Sequence, residues 1–204
     1  IANSVDNLLQ KEVMFGYGEE DVDGTIAPMA VNGVEPTAAM GNDTPLAVLS
    51  NRPQTFFNYF RQQFAQVTNP AIDSIRESLV MSLTEYIGRV GAGILTPDES
   101  NIRYKGFNTV KLPMLFECKK GEDGLRDALS KLCHDAEQSV DAGYNYIILS
   151  DREVDQDHAA IPSLLAVSAV HHYLISVGKR VQTALIVESG EIRETMHAAL
   201  LLGY

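Results

Sequence analysis

The stretch DGLRDALSKLCHDAEQSVDAGYNYIIL, residues 123–149, decides the fold. Over residues 123–142, Leu125, Ala128, Leu129, Leu132, Ala136 and Val140 recur at helical spacing. One side of that helix is apolar and the other is charged. Gly143 ends the pattern, as a glycine just past a helix does. Residues 146–149, YIIL, then run without polar alternation and read as a short buried strand. Working outward, residues 110–116 read as a strand upstream. Downstream, residues 163–177 read as a helix stopped by Gly178, residues 181–187 as a second buried strand, and residues 191–202 as a helix. Strands separated by helices of this length pair in parallel through right-handed crossovers. The expected class is α/β, with a mainly parallel sheet, crossover helices and a helical N-terminal segment.

The first half is less regular. Residues 5–14 and 19–31 carry apolar residues at helical spacing, punctuated by Gly16, Gly18, Gly33 and Gly41. A short apolar run covers residues 46–49. Asn51 is placed to cap a following helix with Pro53 in its first turn. Phe56, Phe60 and Phe64 fall four apart and share one face, which Phe57 and Tyr59 widen. Pro70 biases Asn69 away from helical dihedrals, so that helix is expected to end near Thr68. Residues 77–87 read as a strand and residues 88–106 as a surface excursion. The whole is expected to form one domain, with residues 1–45 as a helical and loop lead-in and residues 46–204 as the α/β core.

The chain has 204 residues, enough to bury a sizeable core. Its 27 acidic against 16 basic residues give a net charge of −11, which repels nucleic-acid phosphates and anionic membrane surfaces. No apolar run approaches the roughly 20 residues needed to span a bilayer. Two cysteines, Cys118 and Cys133, make no disulfide framework, so a reduced, cytoplasmic setting is the default. The first residue is Ile1 and a helical pattern runs into Gly203-Tyr204, so the chain reads as a piece of a longer one.

Several motifs invite chemistry. DVDGT, residues 21–25, matches the aspartate pair of phosphoryl-transfer enzymes, but that chemistry needs the first aspartate at the end of a buried strand. The preceding FGYGEE makes no such strand, and an acidic first helical turn is the better reading. Cys133-His134 and His171-His172 are sequence neighbours and diverge by about 100° on a helix, which suits no metal. LSDREVDQDH, residues 149–158, follows a buried strand, where α/β proteins place their sites. Asp151 and Arg152 lie there, either in a site or as a structural ion pair. VESGEIRE, residues 187–194, also follows a strand. Its Glu188 and Glu191 disfavour a phosphate, and helix capping by Ser189 is the expected role. Around residues 64–77, FAQVTNPAIDSIRE, the groups Thr68, Asn69, Asp73, Arg76 and Glu77 crowd a helix end. Their side chains alone suit an irregular, hydrogen-bonded connection.

An ordered set of motifs resembles one family. GNDTPLAVLS, YF, FAQVTNP, ID, IRE, LVMSL, YIG, LSDR, IPSLLA, AVHH, VESGEIRE and LLGY follow one another as in the central domain of the glutamate synthase large chain. The upstream FGY, APMA and EP fit as well, and the likeness covers nearly the whole chain. Ala71 and Ser74 stand where the family usually has prolines, and Ala39 where a serine is common.

The resemblance implies a division of labour. An amidotransferase domain releases ammonia from glutamine, and a barrel domain with FMN and an iron–sulfur cluster reduces the 2-iminoglutarate formed from 2-oxoglutarate and that ammonia. The central domain, shaped like an incomplete (β/α) barrel, links the two and helps wall the ammonia tunnel. On that reading the chain itself holds neither cofactor, catalyses nothing alone, and has those two domains as partners within the parent chain. A small subunit or electron donor of the parent enzyme is a further expected partner. Thr68 and Asn69 match the region facing the tunnel and are the expected lining. Arg76, Glu77, Asp151, Arg152, Glu188 and Arg193 are the expected structural or interdomain residues. Two other readings remain open at this point. One is a self-standing α/β enzyme built around Asp151, Arg152, Glu188 and Arg193; the other is an interaction module unrelated to ammonia.

Overall fold

In a computed structural model of the chain, the strong periodicities beyond residue 108 become regular structure. The structure describes residues 5–33, 36, 45–61, 71–80, 82 and 108–204. These fall into two units, one drawn from Ile1–Arg61 with Gly190–Tyr204, the other from Gln62–Ser189.

The second unit holds the sheet. The described elements of the chain include helices α1 (Val5–Met14), α2 (Ala27–Asn32) and α3 (Glu77–Val80), then β1 (Thr109–Pro113) and β2 (Leu115–Glu117). There follow α4 (Gly121–Asp141), β3 (Tyr146–Ser150), β4 (His158–Ala160), α5 (Ser163–Ser176), β5 (Ala184–Glu188) and α6 (Thr195–Gly203). Strands β1, β3 and β5 form a parallel sheet in that order, with β3 in the centre. Crossovers that step in one direction leave both connecting helices on one face, and α4 and α5 pack against each other. The sheet is therefore α/β and open, with no closed barrel among the described residues.

The register sorts the side chains. Ile147 lies beside Val110 and Leu185, and Leu149 beside Leu112 and Val187. Ile147 and Leu149 are wholly buried, with Leu112 nearly so. The alternate row, Lys111, Ile148 and Ile186, is the more open one, since Ile186 keeps 39% of its surface. α4 is also tied to α5 and to the segment that follows it. Lys179 donates to Glu137 at 2.8 Å and to Asp141 at 2.7 Å, and Tyr173 Oη donates to Glu137 at 2.7 Å. Lys179 first, then Tyr173, holds the Glu137 carboxyl below its usual range. Gly143 and Gly178, at φ +86° and +71°, end the two helices in the left-handed conformation that glycine adopts freely.

The strand expected over residues 110–116 is two strands. Pro113 closes β1, and the Met114 N–H donates to the Ser150 carbonyl while the Met114 carbonyl accepts from Ile161 N–H, each at 2.9 Å. The chain thereby changes partners, and β2 pairs antiparallel with β4, a strand that periodicity did not suggest. The strand expected from residue 181 begins at Ala184, because Arg180–Gln182 form a 3₁₀ turn. The strand expected over residues 77–87 starts instead as the helix α3, with residues 81 and 83–87 outside the described residues. Asp73 explains the change: its Oδ1 accepts Ile75 N–H at 3.0 Å and Arg76 N–H at 2.9 Å, which caps a helical turn. The excursion expected over residues 88–106 also lies outside the described residues.

The first unit contains α1, a π-helical turn over Asp21–Ile26, α2 and α6. DVDGT thus sits in a helical turn. Among residues 51–61, the expected long aromatic helix is one 3₁₀ turn, Phe56–Tyr59, and residues 62–68 lie outside the described residues. Phe60 has extended dihedrals and breaks the helix. Phe57 goes inward, wholly buried and stacked on His197 at 4.3 Å between ring centroids. Phe56 meets Phe60 edge-on at 5.6 Å, and Phe60 meets Tyr204 at 5.4 Å. Burial pushes the His197 pKa down, and its Nδ1 accepts the Arg193 N–H at 3.3 Å. The last helix starts at Thr195 rather than near residue 191.

Candidate functional site

Parallel strands end where their last backbone groups and following loops converge, so the C-terminal edge of β1, β3 and β5 is the natural site. Pro113, Ser150 and Glu188 occupy one row there. Glu188 is the hub. Its Oε2 accepts Lys111 Nζ at 2.6 Å and Ser150 Oγ at 2.7 Å, and its Oε1 accepts Arg152 Nε at 2.7 Å. Those bonds, Lys111 first and Ser150 next, hold the Glu188 carboxyl at about 2, well below the usual range. Asp151 is buried and accepts a hydrogen bond from Ser189 Oγ, and its backbone N–H donates to the Glu188 carbonyl at 3.1 Å. Ser189 therefore braces Asp151 and does not cap the next helix.

The structure brings Asp151, Arg152 and Glu188 together and adds Lys111, Ser150 and Ser189 to them. Two cations, Lys111 and Arg152, stand with two carboxylates, Glu188 and Asp151, so the formal charges cancel. A general base works best with a pKa near the operating pH; Glu188 is far below it, and both its oxygens accept hydrogen bonds. The arrangement suits a clamp that ties the C-terminal ends of β3 and β5 to the middle of β1.

Linkage gives this clamp a pH signature. Glu188 titrates near 2 when folded, against an ordinary value of 4.5, so its stabilisation is complete above about pH 4.5 and fades as pH falls toward 2. The denaturation midpoint of Glu188→Gln is expected to lie below that of the unmodified protein at pH 7, with the gap closing as pH drops from 4.5 to 2. A gap independent of pH across that window would show that the carboxylate charge contributes nothing.

The other expected residues lie elsewhere. Arg193 belongs to the first unit. Its Nη1 and Nη2 donate to the carbonyls of Phe15 and Gly16 at 3.1 and 3.2 Å, and its guanidinium lies 4.2 Å over the Tyr17 ring. Its Nε stands 3.5 Å from Asp21 Oδ1, an ion-pair distance without a hydrogen bond. Tyr17 Oη in turn donates to the Gly190 carbonyl at 2.7 Å. Arg76 and Glu77 are exposed, and Arg76 pairs with Asp73 at 3.4 Å. Thr68 and Asn69 lie outside the described residues. Lys111 and Ser150 escaped sequence reading; a lysine in the middle of an otherwise apolar strand was the available signal for the first. Among the described residues no three His, Cys, Asp or Glu side chains gather as a metal site, and no helix is long and apolar enough to cross a membrane.

A sequence model for the glutamate synthase central domain matches residues 10–204. The chain is 41% identical over 219 residues to the glutamate synthase [NADPH] large chain of Bacillus subtilis (strain 168). It is 40% identical over 228 residues to ferredoxin-dependent glutamate synthase 2 of Synechocystis sp. (strain ATCC 27184 / PCC 6803 / Kazusa). It is also 40% identical over 220 residues to the chloroplastic ferredoxin-dependent glutamate synthase of Spinacia oleracea. These matches cover 97%, 99% and 98% of this chain but only 14% of each relative.

Proposed function

Because the chain belongs to the family of glutamate synthase central domains, we propose that it is the connecting segment of a glutamate synthase large chain. In that role it joins an amidotransferase part to an FMN-binding part and helps wall the passage for ammonia between them. The observation that carries the reading is the end-to-end match of this chain to a seventh of much longer glutamate synthases. The near-equal identity to NADPH and ferredoxin forms supports a role that does not depend on the electron donor.

The residues here do not fit the cofactors of such an enzyme. An iron–sulfur cluster is held by several thiolates, whereas the chain has two cysteines, one exposed and one buried. The flavin phosphate would meet Asp151 and Glu188 at the strand edge. Both groups are assigned to the parent chain outside residues 1–204.

The chemistry of the passage selects its wall. Ammonia reacts as the neutral molecule, and bulk water would protonate and dilute it. A conduit has to exclude water and offer neutral hydrogen-bonding groups. Thr68 and Asn69 are such groups, whereas a carboxylate would trap ammonium. The full-length parent enzyme carrying Asn69→Trp is expected to lose glutamine-dependent turnover roughly tenfold, an added barrier of about 1.4 kcal/mol, while turnover with added ammonia is retained. Equal retention of both activities would overturn the tunnel role.

A further inference from the structure

A concavity opens in the second unit. It is a trough of about 580 Å³ between α4 and the β2–β4 pair. On the helix side, Gly124, Ala128 and Leu132 are four apart and form its floor. A Cβ at position 124 would stand 2.7 Å from Lys120 Cβ and 2.9 Å from the Glu117 carbonyl oxygen, so glycine lets α4 sit close against the preceding turn. Leu115 and Phe116 form the facing wall. From Gly124 to Asp135 the trough runs about 16 Å along the helix axis.

Its rim is acidic. Three carboxylates are paired locally: Glu117 with Lys120 at 2.9 Å, Asp135 with Lys131, and Asp155 with His158 at 2.9 Å. Those pairs engage both rim lysines. Asp127 and Glu153 also line the trough, and neither makes an ion pair with a described residue. Five carboxylates stand against two lysines along the rim.

We propose that this trough seats an amphipathic segment bearing lysine or arginine, contributed by the parent polypeptide outside residues 1–204. An apolar floor calls for an apolar face on the occupant, and Asp127 with Glu153 calls for cations beside that face. A second copy of this chain is disfavoured, because its net charge of −11 brings like charge to an acidic rim. Relatives in which this region is 14% of the length leave ample tethered chain to fill it at high effective concentration. The inference rests on the proposed function in one respect, that the segment works inside a longer chain.

The test uses the full-length parent enzyme with Asp127→Lys and Glu153→Lys, and Asp127→Asn with Glu153→Gln as the milder pair. Hydrogen exchange of the amides in residues 124–135 is expected to accelerate about tenfold in the charge-reversed enzyme and less in the neutral one, with β3 amides unchanged as the control for folding. A photo-crosslinking residue in place of Glu153 is expected to capture a lysine- or arginine-bearing peptide from the same polypeptide outside residues 1–204. Unchanged exchange in residues 124–135, or capture of a second copy, another protein or only residues 1–204, would overturn the proposal. The two readings fail separately. An Asn69→Trp enzyme with intact glutamine-dependent turnover refutes the tunnel role and leaves the docking result standing; unchanged exchange does the reverse.

Discussion

Leu149→Ala is expected to cost about 2–5 kcal/mol of folding free energy, read from chemical denaturation. Leu149 lies in the central strand, is wholly buried, and sits between Leu112 and Val187 in the more buried row of the sheet. Removing it leaves a cavity whose neighbours are held by backbone ladders on both sides, so the site collapses little. A domain of ordinary stability has only about 5–15 kcal/mol in total, so the loss is a large share. Ile186→Ala is the internal control. Ile186 belongs to the alternate row and keeps 39% of its surface, so it is expected to cost less. Equal costs at the two positions would contradict the assignment of a covered and an open face.

Arg193→Ala is expected to cost about 2–4 kcal/mol in the first unit, because charge-assisted hydrogen bonds and the cation–π stacking over Tyr17 disappear with one side chain. That side chain bonds the Phe15 and Gly16 carbonyls, faces Asp21 and covers the Tyr17 ring, with only 11% of its surface exposed. Its removal leaves the Phe15 and Gly16 carbonyls without this donor and Asp21 without the charge that faces it. Arg193→Lys is not expected to restore the stability, because an ammonium cannot bond two carbonyls and stack flat on a ring at once. Hydrogen exchange across residues 15–17 provides the local readout, and a lysine variant indistinguishable from the unmodified protein would contradict the role given to the guanidinium.

Sequence patterns carried the second half of the fold well. Residues 123–149 have a strong helical period, a glycine stop and an apolar run, and the structure places α4, Gly143 and β3 there. Periodicity could not show that Met114 turns the chain from one sheet to another, since an apolar run looks the same with either partner. It also overstated the aromatic helix. Phe56 and Phe60 do meet, but Phe57 is drawn inward by its stack on His197, a residue far along the chain. Tertiary packing overrode local spacing there. At the strand ends the rule for parallel sheets located Asp151 and Glu188. It could not supply Lys111, which reaches Glu188 only through the pairing of β1, β3 and β5. Arg193 was grouped with these residues by its sequence position after a strand, yet its bonds run to the turn after α1.

The tunnel role is tested most directly by isotope retention in the full-length parent enzyme. Amide-labelled glutamine is turned over with 2-oxoglutarate and reductant amid excess unlabelled ammonium, and the label in newly formed glutamate is measured by mass spectrometry. The unmodified enzyme is expected to keep the label in its product, and Asn69→Trp to lose it toward the level of the bulk pool. Full retention in the Asn69→Trp enzyme, or dilution to the bulk level in the unmodified one, would contradict the role of this segment as a wall between the two reactions.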